Sequence, residues 1–165
     1  MALVTFVDDS APYLNAQNLN NNFNACYERA YIMVFIQANK TIAIGTAWDP
    51  YTIPFDKVKY NVGNKFSLNT TTGEITYTGD KALKITLHIK RDTSTTAGRI
   101  YPTTSDDNYF QDDTTDALPL GSHISIRPKG STIAIYGRVR TSATGNAVLN
   151  GNSTSPYTYM IVEEM

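Results

Sequence analysis

Cysteine, charged side chains and long apolar runs are all scarce in this chain of 165 residues. The single cysteine, Cys26, has no intrachain partner, so an intrachain disulfide and chemistry that needs two thiols are excluded. Charged residues make up 18 % of the chain, and the formal net charge is -1. The basic residues form no stripe and no arginine-rich arm. Phosphate-driven binding of nucleic acid therefore has little support.

Segments that would carry the chain into or across a membrane are also missing. No uninterrupted apolar run approaches the roughly 20 residues that span a bilayer. The longest one, residues 31–36, has the length of a strand. The N-terminus lacks a basic region and is interrupted at once by Asp8 and Asp9, which argues against a signal peptide. We expect no membrane insertion and synthesis in a reducing cytoplasm.

Motifs of common enzymes and metal sites are absent as well. The chain has no Gly-x-Ser-x-Gly elbow, no P-loop, no His-Glu-x-x-His and no cluster of Cys and His. His88 and His123 lie among polar neighbours and are interpreted as solvent-face residues. The acidic run at 105–116 has oxygen ligands suited to Ca²⁺ but lacks the EF-hand spacing, so a solvated loop is favoured. We therefore predict no catalytic residue, no metal ligand and no cofactor.

What the chain has in quantity is Thr, Asn, Ser and eleven Tyr, residues that favour strands and turns. From residue 31 onward the pattern is β. Short apolar or alternating segments recur between turn signals, which is typical of a sandwich or jelly roll. The predicted strands are Tyr31–Ala38, Thr41–Trp48, Val58–Val62, Phe66–Leu68, Glu74–Thr78, Ala82–Lys90, His123–Arg127, Thr132–Arg140 and Tyr157–Val162.

Turn and loop signals complete this prediction. Thr72-Gly73 indicates a hairpin turn, and residues 128–130 predict a second hairpin between their flanking strands. Gly63 and Gly73 are interpreted as turn residues that need a positive φ. Thr93–Leu120 and Thr141–Pro156 are predicted to be long polar loops. Trp48 is expected in the core or an interface.

The first 30 residues form a separate unit in the pattern. Residues 1–14 are predicted to be extended, because Pro12 interrupts any helix. Residues 15–30 predict a short helix, since an apolar stripe follows helical spacing. The members of that stripe are Leu19, Phe23, Cys26 and Ala30. Such a helix needs a partner, either a symmetry copy or the chain's own β-domain.

Two segments resemble known families. Residues 54–68, PFDKVKYNVGNKFSL, are similar to the early strands of C1q/TNF-like domains, which often read Phe-Asp-x-Val-x-x-Asn-x-Gly-x-x-Phe. The continuation TGEITY at 72–77 also resembles that family, although its Gly-x-Tyr-x-Phe signature is missing. This resemblance implies an all-β jelly roll over residues 31–165 that forms a homotrimer. It favours self-association for the helical stripe.

Residues 4–20, VTFVDDSAPYLNAQNLN, are similar to the opening of many bacteriophage head-fibre, tail-fibre and baseplate proteins. Those share Phe-Val-Asp-x-x-x-Pro-Leu-Asn-Ala-x-Asn-Leu-Asn, and here Tyr13 is inserted before the leucine. The resemblance implies that residues 1–30 attach the protein to a virion. The residues expected to make this anchor are Phe6, Val7, Pro12, Leu14 and Leu19.

The predicted recognition site lies in the acidic loop at 105–116. Asp107, Asn108, Tyr109 and Phe110 are candidate contacts to a host cell-surface glycan or protein, because aromatics amid polar groups are common in recognition surfaces. The alternative is that Tyr109 and Phe110 pack on the sandwich as a small satellite core.

Three functions follow from these expectations. The first is a non-enzymatic virion protein of a bacteriophage, a trimeric fibre or spike whose head binds the host surface. The second is a capsid decoration trimer that recognises nothing outside the particle. The third is an enzyme on a jelly roll, supported weakly by the acidic residues.

Overall fold

The computed structural model describes residues 29–105, 120–130 and 134–165, with only the backbone considered at 120–123. In these ranges the chain is all-β. Its strands are β1 (Tyr31–Phe35), β2 (Lys40–Ile44), β3 (Tyr51–Thr52), β4 (Lys57–Val62), β5 (Phe66–Asn69), β6 (Glu74–Tyr77), β7 (Leu83–Lys90), β8 (Ile100–Thr104), β9 (Leu120–Arg127), β10 (Ala134–Ile135), β11 (Gly137–Thr141), β12 (Gly145–Leu149) and β13 (Tyr159–Glu164).

The largest sheet has five strands in the order β4-β1-β13-β7-β9, and all four neighbouring pairs are antiparallel. The alternation of side chains in β7 shows which of its faces is buried. Leu83, Ile85, Leu87 and Ile89 are buried, while the residues between them are half-buried. One face of this sheet therefore packs into the core and the other faces away from it.

The other strands form three smaller groups, in the orders β10-β6-β5, β3-β11-β8 and β12-β2. Their apolar residues join those of the five-stranded sheet in one core cluster. Gly137 at the start of β11 marks a close approach, since a Cβ there would lie 2.8 Å from the Phe55 ring and 3.1 Å from Leu87 Cδ1. The five-stranded sheet is thus covered on one face, as in a sandwich.

Two glycines hold turns that the sequence predicted. Gly73 has φ 73° and ends the turn between β5 and β6, which pair antiparallel as a hairpin. Gly63 has φ 80°, and a Cβ on it would lie 2.7 Å from the Cβ of Ala30. Both positions need glycine because an L side chain rarely adopts this φ and because no space is left for one.

Both predicted long loops contain strands, so that part of the prediction was wrong. β8 lies within Thr93–Leu120 and pairs with β11, while β12 lies within Thr141–Pro156 and pairs with β2. β8 contains Pro102, and β12 begins with Gly145 and Asn146, residues that are rare in strands. Tertiary pairing overrides these local preferences.

The hairpin predicted around residues 128–130 was also wrong. β9 pairs with β7 in the five-stranded sheet, whereas β10 pairs with β6 in another group. The segment between them crosses from one sheet to another. The alternation of side chains indicates which face of a strand is buried, but not which strand pairs with it. The prediction had paired the two strands because they are neighbours in the sequence.

The predicted virion anchor and most of the helical stripe lie outside the described residues. This applies to Phe6, Val7, Pro12, Leu14, Leu19, Phe23 and Cys26. Ala30 is described: it precedes β1 without being in a helix, and it is 1 % exposed within the β-domain. No helix in the described ranges has the length and apolar character that a membrane crossing requires.

Candidate functional site

The open face is the surface of the five-stranded sheet that points away from the core, and β4 forms one of its edges. Register places Tyr60 opposite Met33 and Val62 opposite Tyr31. Tyr60 is 50 % exposed and Val62 is 39 % exposed. This edge of the open face therefore presents large apolar side chains to solvent.

β9 forms the opposite edge of the open face and is apolar as well. Ile124 lies opposite Thr86, and Ile126 lies opposite Lys84, so both isoleucines share the side of the sheet that β7 leaves half-buried. Ile124 is 53 % exposed and Ile126 is 62 % exposed. Removing such side chains from water is favourable by about 25 cal/mol per Å² of apolar surface.

Between the two edges the open face carries an apolar pair and an ion pair. Met33 lies opposite Ile161, and both are half-buried. Lys84 lies opposite Glu163, with Nζ 2.9 Å from Oε1. An ion pair at this exposure contributes little in water. Its charges neutralise one another, so the centre of the face is compatible with burial.

Aromatic and basic side chains occupy the end of the open face around His88. The His88 and Tyr159 rings stack with centroids 4.7 Å apart, and His88 Nδ1 lies 2.8 Å from the Tyr157 carbonyl oxygen. Lys90 Nζ lies 3.9 Å from the centroid of the Tyr157 ring. His88 thus lies on the outer face of the sheet, as the sequence indicated, and its ring is half-buried by the stack with Tyr159.

The arrangement of the two apolar edges restricts how copies can associate. An edge-to-edge two-fold contact between β9 and β9 leaves the β4 edge exposed, whereas a face-to-face two-fold contact covers both edges. A contact between β9 of one copy and β4 of the next uses both edges and repeats around a ring. Exposed apolar residues of this kind commonly mark protein–protein contacts. The open face is the strongest candidate for a self-association surface in the described part of the chain.

A buried carboxylate fixes the place where the β-domain begins and ends. The Glu164 side chain is 0 % exposed and lies 2.9 Å from Lys65 Nζ and 3.3 Å from Lys81 Nζ. Tyr77 donates to it at 2.6 Å, and the amide of Ala30 donates at 3.4 Å. The amide of Glu164 donates to the Ala30 carbonyl at 2.9 Å, so residue 30 and the C-terminus are adjacent.

Opposing effects set the pKa of this carboxyl. Burial alone raises the pKa of Glu164, but hydrogen bonds from Tyr77, Lys65, Lys81 and the Ala30 amide outweigh it and hold the pKa at about 2. Burial, with the hydrogen bond to Glu164, raises the pKa of Tyr77 to about 12. The group is a charged network that joins β13 to β6, to the lysines that precede β5 and β7, and to Ala30.

The candidate contacts Asp107, Asn108, Tyr109 and Phe110 lie outside the described residues, so their role stays a prediction. The structure does describe Trp48, which is 46 % exposed and not in the core. Its ring lies beside that of Tyr101, with the two centroids 5.2 Å apart. Within the described ranges, no three His, Cys, Asp or Glu side chains are grouped to hold a metal ion.

The sequence analysis did not single out the residues of the open face. Tyr60, Val62, Ile124 and Ile126 were placed on predicted strands but assigned no role. A signal was present, since both segments carry apolar side chains two residues apart. Alternation identifies the two faces of a strand, and the sheet order decides which face remains uncovered.

Comparisons with known proteins bear on the fold. No family model matches the chain, and no curated protein matches it. Among solved structures it is similar to murine APRIL, with a TM-score of 0.54, 6 % identity, and coverage of 83 % of this chain and 99 % of that one. This likeness shows the fold alone and agrees with the predicted all-β jelly roll.

Two further solved structures are similar to the chain at lower TM-scores. Eiger TNF from S. frugiperda matches with a TM-score of 0.43, 12 % identity, and coverage of 83 % of this chain and 91 % of that one. The PRD1 vertex protein P5 matches with a TM-score of 0.35, 15 % identity, and coverage of 82 % and 94 %.

Proposed function

We propose that the chain is a non-enzymatic structural protein of a bacteriophage virion. It is a homotrimer that attaches to the particle through residues 1–30 and exposes its β-domain for binding to the host surface. The open face supports self-association, because both of its edges expose large apolar side chains. The jelly-roll fold supports it.

Virion attachment rests on the resemblance of residues 4–20 to the opening of phage fibre and baseplate proteins. The position of Ala30 fits this role. Its amide and carbonyl are both bonded to Glu164, so the chain enters the β-domain at a fixed point. An anchor that begins there leaves the rest of the domain available for other contacts.

Light scattering on the full chain tests the trimer, with matched substitutions on β4. Val62→Asp places a charge on the open face and is expected to give monomers at micromolar concentration. Val58→Asp is the control, because Val58 is similarly exposed at 42 % but lies opposite the buried Val34, on the other side of the strand. It is expected to remain trimeric. A monomeric wild type would remove the basis for the proposal.

Mixing two variants tests whether unlike edges meet. Val62→Asp damages the β4 edge and Ile124→Asp damages the β9 edge, so each variant alone lacks one side of every contact. In the mixture, the intact β9 edge of the first pairs with the intact β4 edge of the second. We expect one-to-one heterodimers on native mass spectrometry. Their absence, with both variants folded, would argue for contacts between like edges.

Particle experiments test the anchor. Deleting residues 1–29 is expected to leave the β-domain folded but to prevent its incorporation into virions, which imaging of labelled particles measures. Incorporation of the truncated protein would place the anchor elsewhere. The same images locate the full-length protein on the virion.

Binding to host cells separates this proposal from the second candidate, a capsid decoration trimer. The open face accounts for assembly of copies but not for recognition of a host. This observation favours the capsid decoration trimer as the second candidate. Cell binding by the isolated trimer supports the host-surface role, and its absence supports decoration. Within the proposed role, Tyr109→Ala with Phe110→Ala is expected to abolish binding with little change in melting temperature. Normal binding with a much lower melting temperature would place both aromatics in the core.

A further inference from the structure

A second surface, made mostly of half-buried side chains, lies on the outer side of the β3-β11-β8 group. Arg140 of β11 lies opposite Tyr101 of β8, and Arg138 lies between Thr52 of β3 and Thr103 of β8. Directly paired residues share one side of a sheet, and residues two apart on a strand are about 7 Å apart. Two guanidinium groups and an aromatic ring are thus neighbours on this side.

Trp48 extends this surface, in the loop between β2 and β3. Its ring centroid is 5.2 Å from that of Tyr101, with the planes tilted by 33°. The ring is still 46 % exposed. We call Trp48, Tyr101, Arg138 and Arg140 the aromatic–arginine surface.

The backbone of Trp48 has an unfavourable conformation, with φ 70°. A bulky residue rarely adopts a positive φ, because its Cβ crowds the backbone. Its neighbours hold it there: the Trp48 amide donates to the Thr141 carbonyl at 2.9 Å, and Arg140 Nη1 donates to the Trp48 carbonyl at 3.3 Å. Glycine would fit this backbone without strain, yet the chain has tryptophan.

The start of the same loop is also fixed. The hydroxyl of Tyr51 accepts hydrogen bonds from the amides of Gly45 and Thr46, each at 2.9 Å. The exposed indole is therefore presented by a loop that is bonded at both ends. Strain that the surroundings maintain is characteristic of ligand contacts.

Arg138 supplies a positive charge that the described residues do not neutralise. Its Nε is buried without a hydrogen-bond partner, and the ion pairs among described residues use lysines instead. The guanidinium carbon lies 5.2 Å from the centroid of the Tyr136 ring. Buried polar groups without partners are rare and call for an explanation. A planar guanidinium is suited to bind a carboxylate or phosphate with two hydrogen bonds.

We propose that the aromatic–arginine surface binds an acidic saccharide. The indole of Trp48, beside Tyr101, stacks on the apolar side of a sugar ring, while Arg138 binds the anionic substituent of the same or the adjacent sugar. Saccharide binding is inferred from the surface itself. Only the natural source of the saccharide, the host surface, rests on the proposed function. The proposed ligand is a carbohydrate with a carboxylate or phosphate.

Calorimetric titration of the full chain tests this with defined probes. These are hexagalacturonate, the neutral galactose hexamer of the same linkage, monomeric galacturonate and mannose 6-phosphate. We expect hexagalacturonate to bind about tenfold more tightly than the neutral hexamer, a difference of about 1.4 kcal/mol. Weak binding of mannose 6-phosphate compared with monomeric galacturonate identifies the carboxylate, and the reverse identifies the phosphate. A wild type that binds none of them overturns the proposal.

Substitutions then separate the two contacts. Arg138→Gln is expected to remove the preference for the acidic hexamer. Lys129→Gln is the control, because it makes the same change of charge at a side chain that is 72 % exposed. It is expected to keep the preference. Equal effects of the two would show that net charge alone acts, against the proposal.

Trp48→Gly distinguishes binding from packing. It removes the indole but suits the positive φ, so we expect binding of both hexamers to weaken about tenfold or more while the melting temperature stays equal or rises. Unchanged binding with a lower melting temperature would make Trp48 a packing residue and refute the inference. If the wild type binds none of the saccharides but its trimers still bind host cells, the inference fails while the proposed function stands.

Discussion

Replacing Glu164 with glutamine tests the buried charged network where the β-domain begins and ends. The substitution keeps the shape of the side chain and its acceptor oxygen for Tyr77. It removes the negative charge that Lys65 and Lys81 approach to 2.9 and 3.3 Å. It also replaces Oε2, the acceptor for the amide of Ala30, with an NH2 group that cannot accept a hydrogen bond.

The size of the effect follows from the pKa. The ordinary value is 4.5 and the folded protein holds the pKa at about 2. At about 1.4 kcal/mol per pH unit, this difference corresponds to about 3 kcal/mol. Both lysines are roughly 40 % exposed and regain water when the charge is removed. We therefore expect Glu164→Gln to lower the free energy of unfolding by about 2 kcal/mol at pH 7.

The pH dependence has a definite sign. Because the folded pKa of Glu164 lies below its unfolded value, the stabilisation is complete above pH 4.5 and is lost as the pH falls from 4.5 towards 2. The raised pKa of Tyr77, about 12, affects stability only above pH 10. The wild type and the variant should therefore converge in stability at low pH.

Urea unfolding at one fixed protein concentration measures both effects, since association also contributes to the stability of an oligomer. Glu163→Gln is the matched control, because this neighbouring carboxylate pairs with Lys84 at 2.9 Å but both side chains are about 40 % exposed. It is expected to cost less than about 1 kcal/mol. Equal losses in the two variants, or an unchanged acid profile for Glu164→Gln, would refute the reasoning.

Two further predictions use matched pairs. Gly73→Ala is expected to lower the free energy of unfolding by more than about 2 kcal/mol in thermal melts, because it adds backbone strain and places a Cβ 2.2 Å from a backbone carbonyl oxygen. Gly130→Ala adds the same backbone strain, but its Cβ would have no heavy atom within 4 Å. It should lower the free energy of unfolding by about 1 kcal/mol in the same measurement. Ile85→Ala creates a cavity in the core and should cost about 2–5 kcal/mol on urea unfolding, whereas Thr86→Ala on the half-buried side should cost less than about 1 kcal/mol. Similar values within either pair would contradict the packing described for it.

Local patterns explain why much of the fold was predictable. The strict alternation at 83–90 and the glycine at 73 act over a few residues, and the structure has the strand and the hairpin turn there. β8 and β12 were missed because their residues have weak strand preference by themselves. Each is a strand because β11 or β2 lies beside it, and those partners come from distant parts of the sequence.

The sequence by itself determined the all-β class, most strands and the turn glycines, since alternation, β-branched residues and positive φ are local properties. The jelly roll was expected from the resemblance to C1q/TNF-like domains. The sequence also carries the resemblance that supports the proposal of virion attachment. Only the tertiary structure decided which faces remain uncovered. It brought Tyr60 and Ile124 to opposite edges of one face, buried the charge of Glu164 and set Trp48 beside Tyr101. Burial and proximity depend on pairing between distant segments, and the side chains of one strand do not specify that pairing.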